Sequence, residues 1–145
     1  KFVSDQVMGG VSEGKTALKK DKNKIFLRLE GTVSTENNGG FVRLAHRPDY
    51  IDKNTKGIKF MAKGNDETYE IHVTMKGIKL PPWAYHSQSF DVGSEWKEYY
   101  IEFKDFKKNA FMSPSLKPKN IRDISIAGYG RDFNVDLAIK DIALF

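Results

Sequence analysis

The sequence has 145 residues, 39% of them hydrophobic, with a formal net charge of +5 and no cysteine. A chain of this length and composition fits one domain with a sizeable core, and the absence of cysteine excludes disulfides, thiol nucleophiles and thiolate metal sites. The mild positive charge is scattered along the chain, which favours solubility over polyanion binding, and no apolar run approaches the ~20 residues that span a membrane.

Much of the chain alternates between apolar and polar residues, which is typical of strands with one buried face. These runs, with some shorter apolar segments, predict about nine strands. In chain order they lie near residues 15–20, 25–30, 41–47, 58–63, 69–75, 86–92, 98–103, 122–129 and 133–140. After Lys140 the apolar positions change parity, which predicts a one-residue β-bulge near Lys140 and Asp141. Helix is nearly absent, with one short turn expected after Asp105, and the strand spacing favours a sandwich or barrel formed by a single domain over residues 1–145.

Two glycine-rich segments are too ordered for a linker and too rich in glycine for a helix or strand. The first covers residues 4–14 and the second residues 37–41, and we expect them to meet at one end of a β-sandwich. Glycine there would let backbone N–H groups line a ligand-facing rim, although tight turns that close the sandwich are the commoner use of such residues. The rim residues predicted to contact a ligand or partner are Asp5, Met8, Gly9, Gly10, Asn38 and Gly39.

Several sequence blocks occur in an order that resembles the complex I intermediate-associated protein 30 family. They are Asp5–Ser12, Gly31–Ser34, Asn38–Phe41, Lys63–Tyr69, Trp96–Phe106, Ile121–Gly128 and Phe133–Ile142. Lys63 and Asn65 stand where the family usually has arginine and glycine, which weakens any expectation of a ligand-binding arginine there, and Glu102 replaces a proline. The family's core aromatic positions correspond to Trp96, Phe103 and Phe106.

The resemblance implies an all-β antiparallel jelly-roll sandwich of the galactose-binding-like type. The best-known member of the family assists assembly of respiratory complex I in mitochondria. We therefore expect a non-catalytic, chaperone-like assembly module that acts on a protein partner, such as a subunit of a respiratory or other membrane complex. This implies a location in the cytoplasm, or in the mitochondrial matrix for a eukaryotic chain.

Four further residues are predicted to contact a partner or ligand. In the assembly-module hypothesis, Arg43 and Trp83 lie beside the glycine rim, where arginine can bind carboxylates and aromatic rings can anchor an interface. In the alternative hypothesis, a carbohydrate-binding module, Trp83, Tyr85 and His72 lie on a concave sheet face and stack on sugars. A second alternative, an RNA-binding accessory domain, depends on the lysines between residues 19 and 24, and nucleic acid is the less favoured partner.

The sequence carries no motif for metal binding or catalysis. Oxygen donors near predicted turns leave a structural calcium as an alternative to the expected absence of a cofactor, but they lack calcium-loop spacing. They are Asp5, Glu13, Asn37, Asn38 and Asp66. The histidines, His46, His72 and His86, are expected to be solvated or hydrogen-bonded at the surface. No G-x-S-x-G motif is present, which argues against a hydrolase of that type. The lack of any reactive constellation, together with the family resemblance, leads us to expect no enzymatic activity.

Overall fold

The computed structural model describes residues 2–4, 12–21, 24–36, 40–77, 85–108 and 115–145. Eleven strands lie in this part of the chain. They are β1 (Phe2–Ser4), β2 (Glu13–Asp21), β3 (Lys24–Val33), β4 (Phe41–His46), β5 (Gly57–Gly64), β6 (Thr68–Met75), β7 (His86–Asp91), β8 (Lys97–Glu102), β9 (Lys107–Lys108), β10 (Ile121–Tyr129) and β11 (Phe133–Leu144). Two 3-10 turns cover Phe103–Asp105 and Pro118–Asn120. Within the described residues, no helix is both long and apolar enough to cross a membrane.

The strands form two antiparallel sheets that pack face to face. The six-stranded sheet has the order β1-β4-β10-β6-β7-β9, and the five-stranded sheet has the order β2-β3-β11-β5-β8. The all-β sandwich is therefore confirmed, and each predicted strand is present. Two short edge strands, β1 and β9, were not predicted because two or three residues carry no alternation. The predicted turn after Asp105 is displaced: the 3-10 turn comes earlier, at Phe103–Asp105, where it buries Phe103.

The predicted bulge near Lys140 is confirmed. The pairing of β11 with β5 shifts register between Lys140 and Ala143, and Asp141 adopts a positive φ of 55°. The extra residue restores an inward direction to the apolar side chains that follow, since Leu144 pairs with the core residue Ile58.

Buried side chains from the inner faces of both sheets form the core. In β6 the inward residues alternate strictly with outward ones, as the period of two requires. Aromatic rings join the two sheets: Phe60 of β5 packs edge-on against Phe90 of β7 with ring centroids 5.0 Å apart. The inward residues of β6 are Tyr69, Ile71, Val73 and Met75, each at most 1% exposed.

The hydroxyl of the fully buried Tyr69 links one sheet to the other. It donates a hydrogen bond to Asn65 Oδ1 at 2.7 Å and accepts one from the backbone N–H of Asp136, in β11, at 3.0 Å. Burial raises the pKa of Tyr69 to about 12, so the phenol stays neutral and keeps its proton for Asn65. The bonds fix how β6 sits on the facing sheet.

Trp96 does not occupy the core position that the resemblance implied, whereas Phe103 is buried and Phe106 packs against the core. The ring of Trp96 lies on the outer face of the five-stranded sheet, with its centroid 5.7 Å from that of Phe26. The ammonium groups of Lys63 and Lys140 lie 5.1 and 4.2 Å from its ring centroid. Trp96 therefore packs over lysine side chains on the outer face, and the cation–π attraction between them stabilises this position.

The Tyr69 bridge predicts a specific loss of stability. Tyr69→Phe removes the hydroxyl and leaves the Asp136 N–H and the Asn65 carbonyl unsatisfied, which we expect to lower the free energy of unfolding by roughly 1–2 kcal/mol. Urea denaturation measures this. Tyr100→Phe is the matched control, because the exposed hydroxyl of Tyr100 bonds, among the described residues, only to Glu98 on the surface. Equal effects of the two substitutions would contradict the bridging role.

Candidate binding site on the six-stranded sheet

The outer face of the six-stranded sheet points away from the core and carries three of the predicted site residues. Because Tyr69 and Ile71 of β6 point inward, Glu70 and His72 point outward. The neighbouring strand β10 places Ser125 opposite His72 and Ala127 opposite Glu70. The next strand, β4, adds Arg43 opposite Ala127. Arg43 and Glu70 are thus two strand spacings apart, about 10 Å.

His72, Tyr85 and Tyr129 form an aromatic cluster on this face. The imidazole of His72 stacks on the ring of Tyr85, with centroids 4.1 Å apart and planes 15° from parallel. Tyr129 contacts both rings edge-on, at 5.0 Å from His72 and 5.9 Å from Tyr85. His72 is only 3% exposed, whereas Tyr129 is 36% exposed. The cluster therefore presents one accessible tyrosine supported by two buried rings.

This burial corrects the prediction that the histidines are surface residues. His46 is exposed, but His72 and His86 are buried. The outward direction of His72 was predicted correctly from its strand. The burial of His72 was not predicted, because the rings that shield it from solvent belong to Tyr85 and Tyr129, on two other parts of the chain.

The imidazole of His72 keeps hydrogen-bonding capacity. Its Nε2 lies 3.5 Å from Glu70 Oε1, yet it makes no hydrogen bond to any described residue. Ser125 and Ser87 lie opposite His72 in the two flanking strands. A buried nitrogen without a hydrogen-bond partner costs free energy.

Arg43 is a second polar group without a complete set of partners. Its Nε is buried and makes no hydrogen bond within the described part of the chain, and the guanidinium lies 5.4 Å from the ring of Phe41. Burial lowers the pKa of Arg43, while Asp123 partly opposes that effect. Arg43 forms no ion pair with any described residue.

Asp123 is held by other arginines, which explains why it does not pair with Arg43. Arg47 Nε donates to its Oδ1 at 3.0 Å, and Arg122 Nε donates to its Oδ2 at 2.8 Å. Thr74 also donates to Oδ2, at 3.2 Å. Burial alone would raise the pKa of Asp123, but the two arginine bonds outweigh it and lower the pKa.

The site lies beside the described residues that flank the two glycine-rich segments. Ser4 of β1 pairs with Val42 of β4, and Ser34 N donates to Ser12 Oγ at 2.8 Å, so the flanks of the first glycine segment lie beside those of the second. Gly130 N donates to the carbonyl of Gly40 at 2.7 Å. The predicted site residues Asp5, Met8, Gly9, Gly10, Asn38, Gly39 and Trp83 lie outside the described residues. Whether they contact a ligand stays a prediction.

The structure therefore brings Arg43, His72 and Tyr85 onto one face and adds two residues that were not in the predicted site. The alternation of β10 could have identified Tyr129, because Ile124 and Ile126 face the core and Tyr129 therefore faces outward. The spacing could also have identified Glu70, because a residue two positions before His72 on the same strand lies on the same face. No group of three His, Asp or Glu residues in the described ranges is arranged to hold a metal ion.

The comparisons with known proteins agree with this architecture. The sequence model of the family described as complex I intermediate-associated protein 30 matches residues 1–139, which confirms the resemblance. No curated protein matches the chain.

Solved structures with the same fold include carbohydrate-binding modules. The family 11 module of the cellulosomal cellulase Lic26A-Cel5E of Clostridium thermocellum has a TM-score of 0.82 at 20% identity, covering 100% of this chain and 86% of the module. The family 11 module in complex with a β-1,3-1,4-mixed-linked tetrasaccharide has a TM-score of 0.82 at 19% identity, covering 100% and 87%. The family 30 module of the cellulase Cel9D-Cel44B of the same organism has a TM-score of 0.61 at 11% identity, covering 93% and 91%. At such identities the similarity is one of fold.

The Asp123 cluster predicts a pH-dependent contribution to stability. Because the folded-state pKa of Asp123 is lowered, its contribution is present above the unfolded-state value of about 3.9 and is lost as the pH falls through the folded-state value. We expect Asp123→Asn to lower the free energy of unfolding by about 1 kcal/mol at neutral pH. Urea denaturation at neutral and acidic pH should show the difference from wild type shrinking with acid. The exposed Asp49→Asn is the control, and a difference independent of pH would contradict the assignment.

Proposed function

The chain belongs to the complex I intermediate-associated protein 30 family, and on that premise we propose that it is a non-catalytic binding module that binds a carbohydrate on the outer face of its six-stranded sheet. The observation that carries the proposal is the aromatic cluster of His72, Tyr85 and Tyr129 beside the half-buried Arg43. Aromatic rings next to polar groups with free hydrogen-bonding capacity suit a sugar, which has an apolar face and a hydroxylated edge.

The aromatic cluster supplies the stacking surface. Tyr129 is the accessible ring, and its edge-on contacts with the buried rings of His72 and Tyr85 hold it in one orientation. A ring fixed before binding loses little conformational entropy when a ligand stacks on it. The contribution of Tyr129 is therefore expected to be larger than that of an isolated exposed tyrosine.

The polar groups around the cluster supply direction. The planar guanidinium of Arg43 can donate hydrogen bonds to a sugar, and the carboxylate of Glu70 can accept them. The two residues lie about two strand spacings apart, which is the scale of a sugar unit and its neighbour. The proposed function is binding without catalysis. His72, a group suited to proton transfer, is stacked against Tyr85 and almost fully buried.

The comparisons support a carbohydrate as the ligand to test first. One structure with the same fold is a module in complex with a β-1,3-1,4-mixed-linked tetrasaccharide. The fold alone does not specify a ligand, so the proposal rests on the residues of the outer face.

A second candidate function is binding to a protein partner in complex assembly, in the cytoplasm or the mitochondrial matrix. The family match favours it, since the family is described by its association with complex I intermediates. The same surface would serve, because tyrosine and arginine are enriched among the residues that dominate protein interfaces.

Calorimetric titration with the mixed-linkage tetrasaccharide tests the carbohydrate proposal, within a panel of β-linked and α-linked oligosaccharides. We expect saturable binding that Tyr129→Ala and Arg43→Met each weaken about tenfold, or about 1.4 kcal/mol. Tyr50→Ala is the matched control, because Tyr50 is an exposed tyrosine in the loop after β4. A titration with EDTA tests the calcium alternative.

The outcomes separate the two candidates. Binding of no oligosaccharide, together with retention of a defined membrane-complex subunit that Tyr129→Ala abolishes, contradicts the carbohydrate proposal and supports assembly. Oligosaccharide binding that Tyr50→Ala weakens as much as Tyr129→Ala contradicts the site.

A further inference from the structure

A cavity lies between the two sheets, near the His46 end of β4 and on the opposite face of the six-stranded sheet from the aromatic cluster. Its volume is about 510 Å³. Aliphatic side chains from both inner faces line it, among them Leu44, Ile124 and Ile126 from the six-stranded sheet and Leu27, Ile58 and Leu144 from the five-stranded sheet. Protein interiors are close-packed and rarely leave a void larger than a water molecule. An apolar opening of this size that the surrounding side chains leave unfilled is a candidate ligand site.

The apolar lining continues out of the cavity onto exposed surface. After the bulge, β11 turns Ile142 and Leu144 towards the cavity, and both remain more than one-third exposed. In the hairpin of β2 and β3, Leu18 pairs with Leu27 and so faces the same side. Leu18 is 71% exposed and Ile25, two residues from Leu27, is 64% exposed. These four side chains form an apolar ramp that leads into the cavity.

The hairpin that carries this ramp is basic. Four lysines and one aspartate lie between residues 19 and 24. Lys20 pairs with Ile25 and therefore faces the ramp, while Lys19 pairs with Phe26 and faces the other side of the sheet. Among the described residues that line the cavity, His46, at the end of β4, is the one with a titratable side chain.

From this combination we infer that the cavity binds the hydrocarbon chain of a fatty acid, with the carboxylate placed beside Lys20. An aliphatic lining offers almost no hydrogen-bond partners, so the buried part of the ligand must itself be apolar. The volume falls within the range of about 300–1,000 Å³ that small-molecule sites occupy. The lysine-rich hairpin complements an anionic head group. This site is separate from the outer face and does not depend on the proposed carbohydrate function.

The test is a titration of the purified chain with the fluorescent fatty acid cis-parinaric acid, kept below its micelle concentration. We expect saturable one-to-one binding with increased fluorescence. Ile142→Asp places a carboxylate at the cavity mouth and should weaken binding about tenfold or more, whereas Tyr100→Asp on the outer face of the same sheet should not. Thermal unfolding of each variant verifies that it folds.

Charge reversal at two neighbouring lysines tests the position of the head group. Lys20→Glu should weaken binding several-fold, and Lys19→Glu, on the same strand but the opposite face, should leave it unchanged. Equal effects at the two positions would overturn the proposed orientation.

Two further results would overturn the site itself. One is the absence of saturable binding; the other is binding to anionic vesicles alone, which would assign the ramp to a membrane surface. Retention of fatty-acid binding in Tyr129→Ala is expected, and this distinguishes failure of this site from failure of the carbohydrate site.

Discussion

The position of β6 against the facing sheet is the constraint on which the rest of the molecule depends. The hydroxyl of Tyr69 crosses the core to bond with the backbone of Asp136, so the inward side of β6 is fixed. Since side chains alternate along a strand, fixing Tyr69 also fixes Glu70 and His72 on the outer face. A slip of one residue would turn His72 into the core and dismantle the aromatic cluster.

Much of the fold follows from local alternation, and the candidate site follows from it only in part. The long strands and the bulge at Asp141 were predictable because each leaves a periodic signal in its own segment. The burial of His72 was not, because its cover comes from Tyr85 and Tyr129, which are distant in sequence. Trp96 was misplaced for a related reason: its partners on the outer face come from other strands.

The two surfaces have opposite chemistry and lie on opposite faces of the six-stranded sheet. Near Phe41, polar and aromatic groups lie on the outer face; near His46, the space between the sheets is lined almost entirely by aliphatic side chains. The proposed functions are therefore physically independent, even though one framework supports both.

The central claim is that the outer face of the six-stranded sheet is the recognition surface. Mapping backbone amide chemical shifts by NMR during titration with the mixed-linkage tetrasaccharide tests it most directly. The largest changes are expected in β10 and β6, around Ser125, Tyr129 and His72, and Tyr129→Ala should raise the oligosaccharide concentration needed to produce them about tenfold. Changes confined to the five-stranded sheet, or none at saturating oligosaccharide, would contradict it.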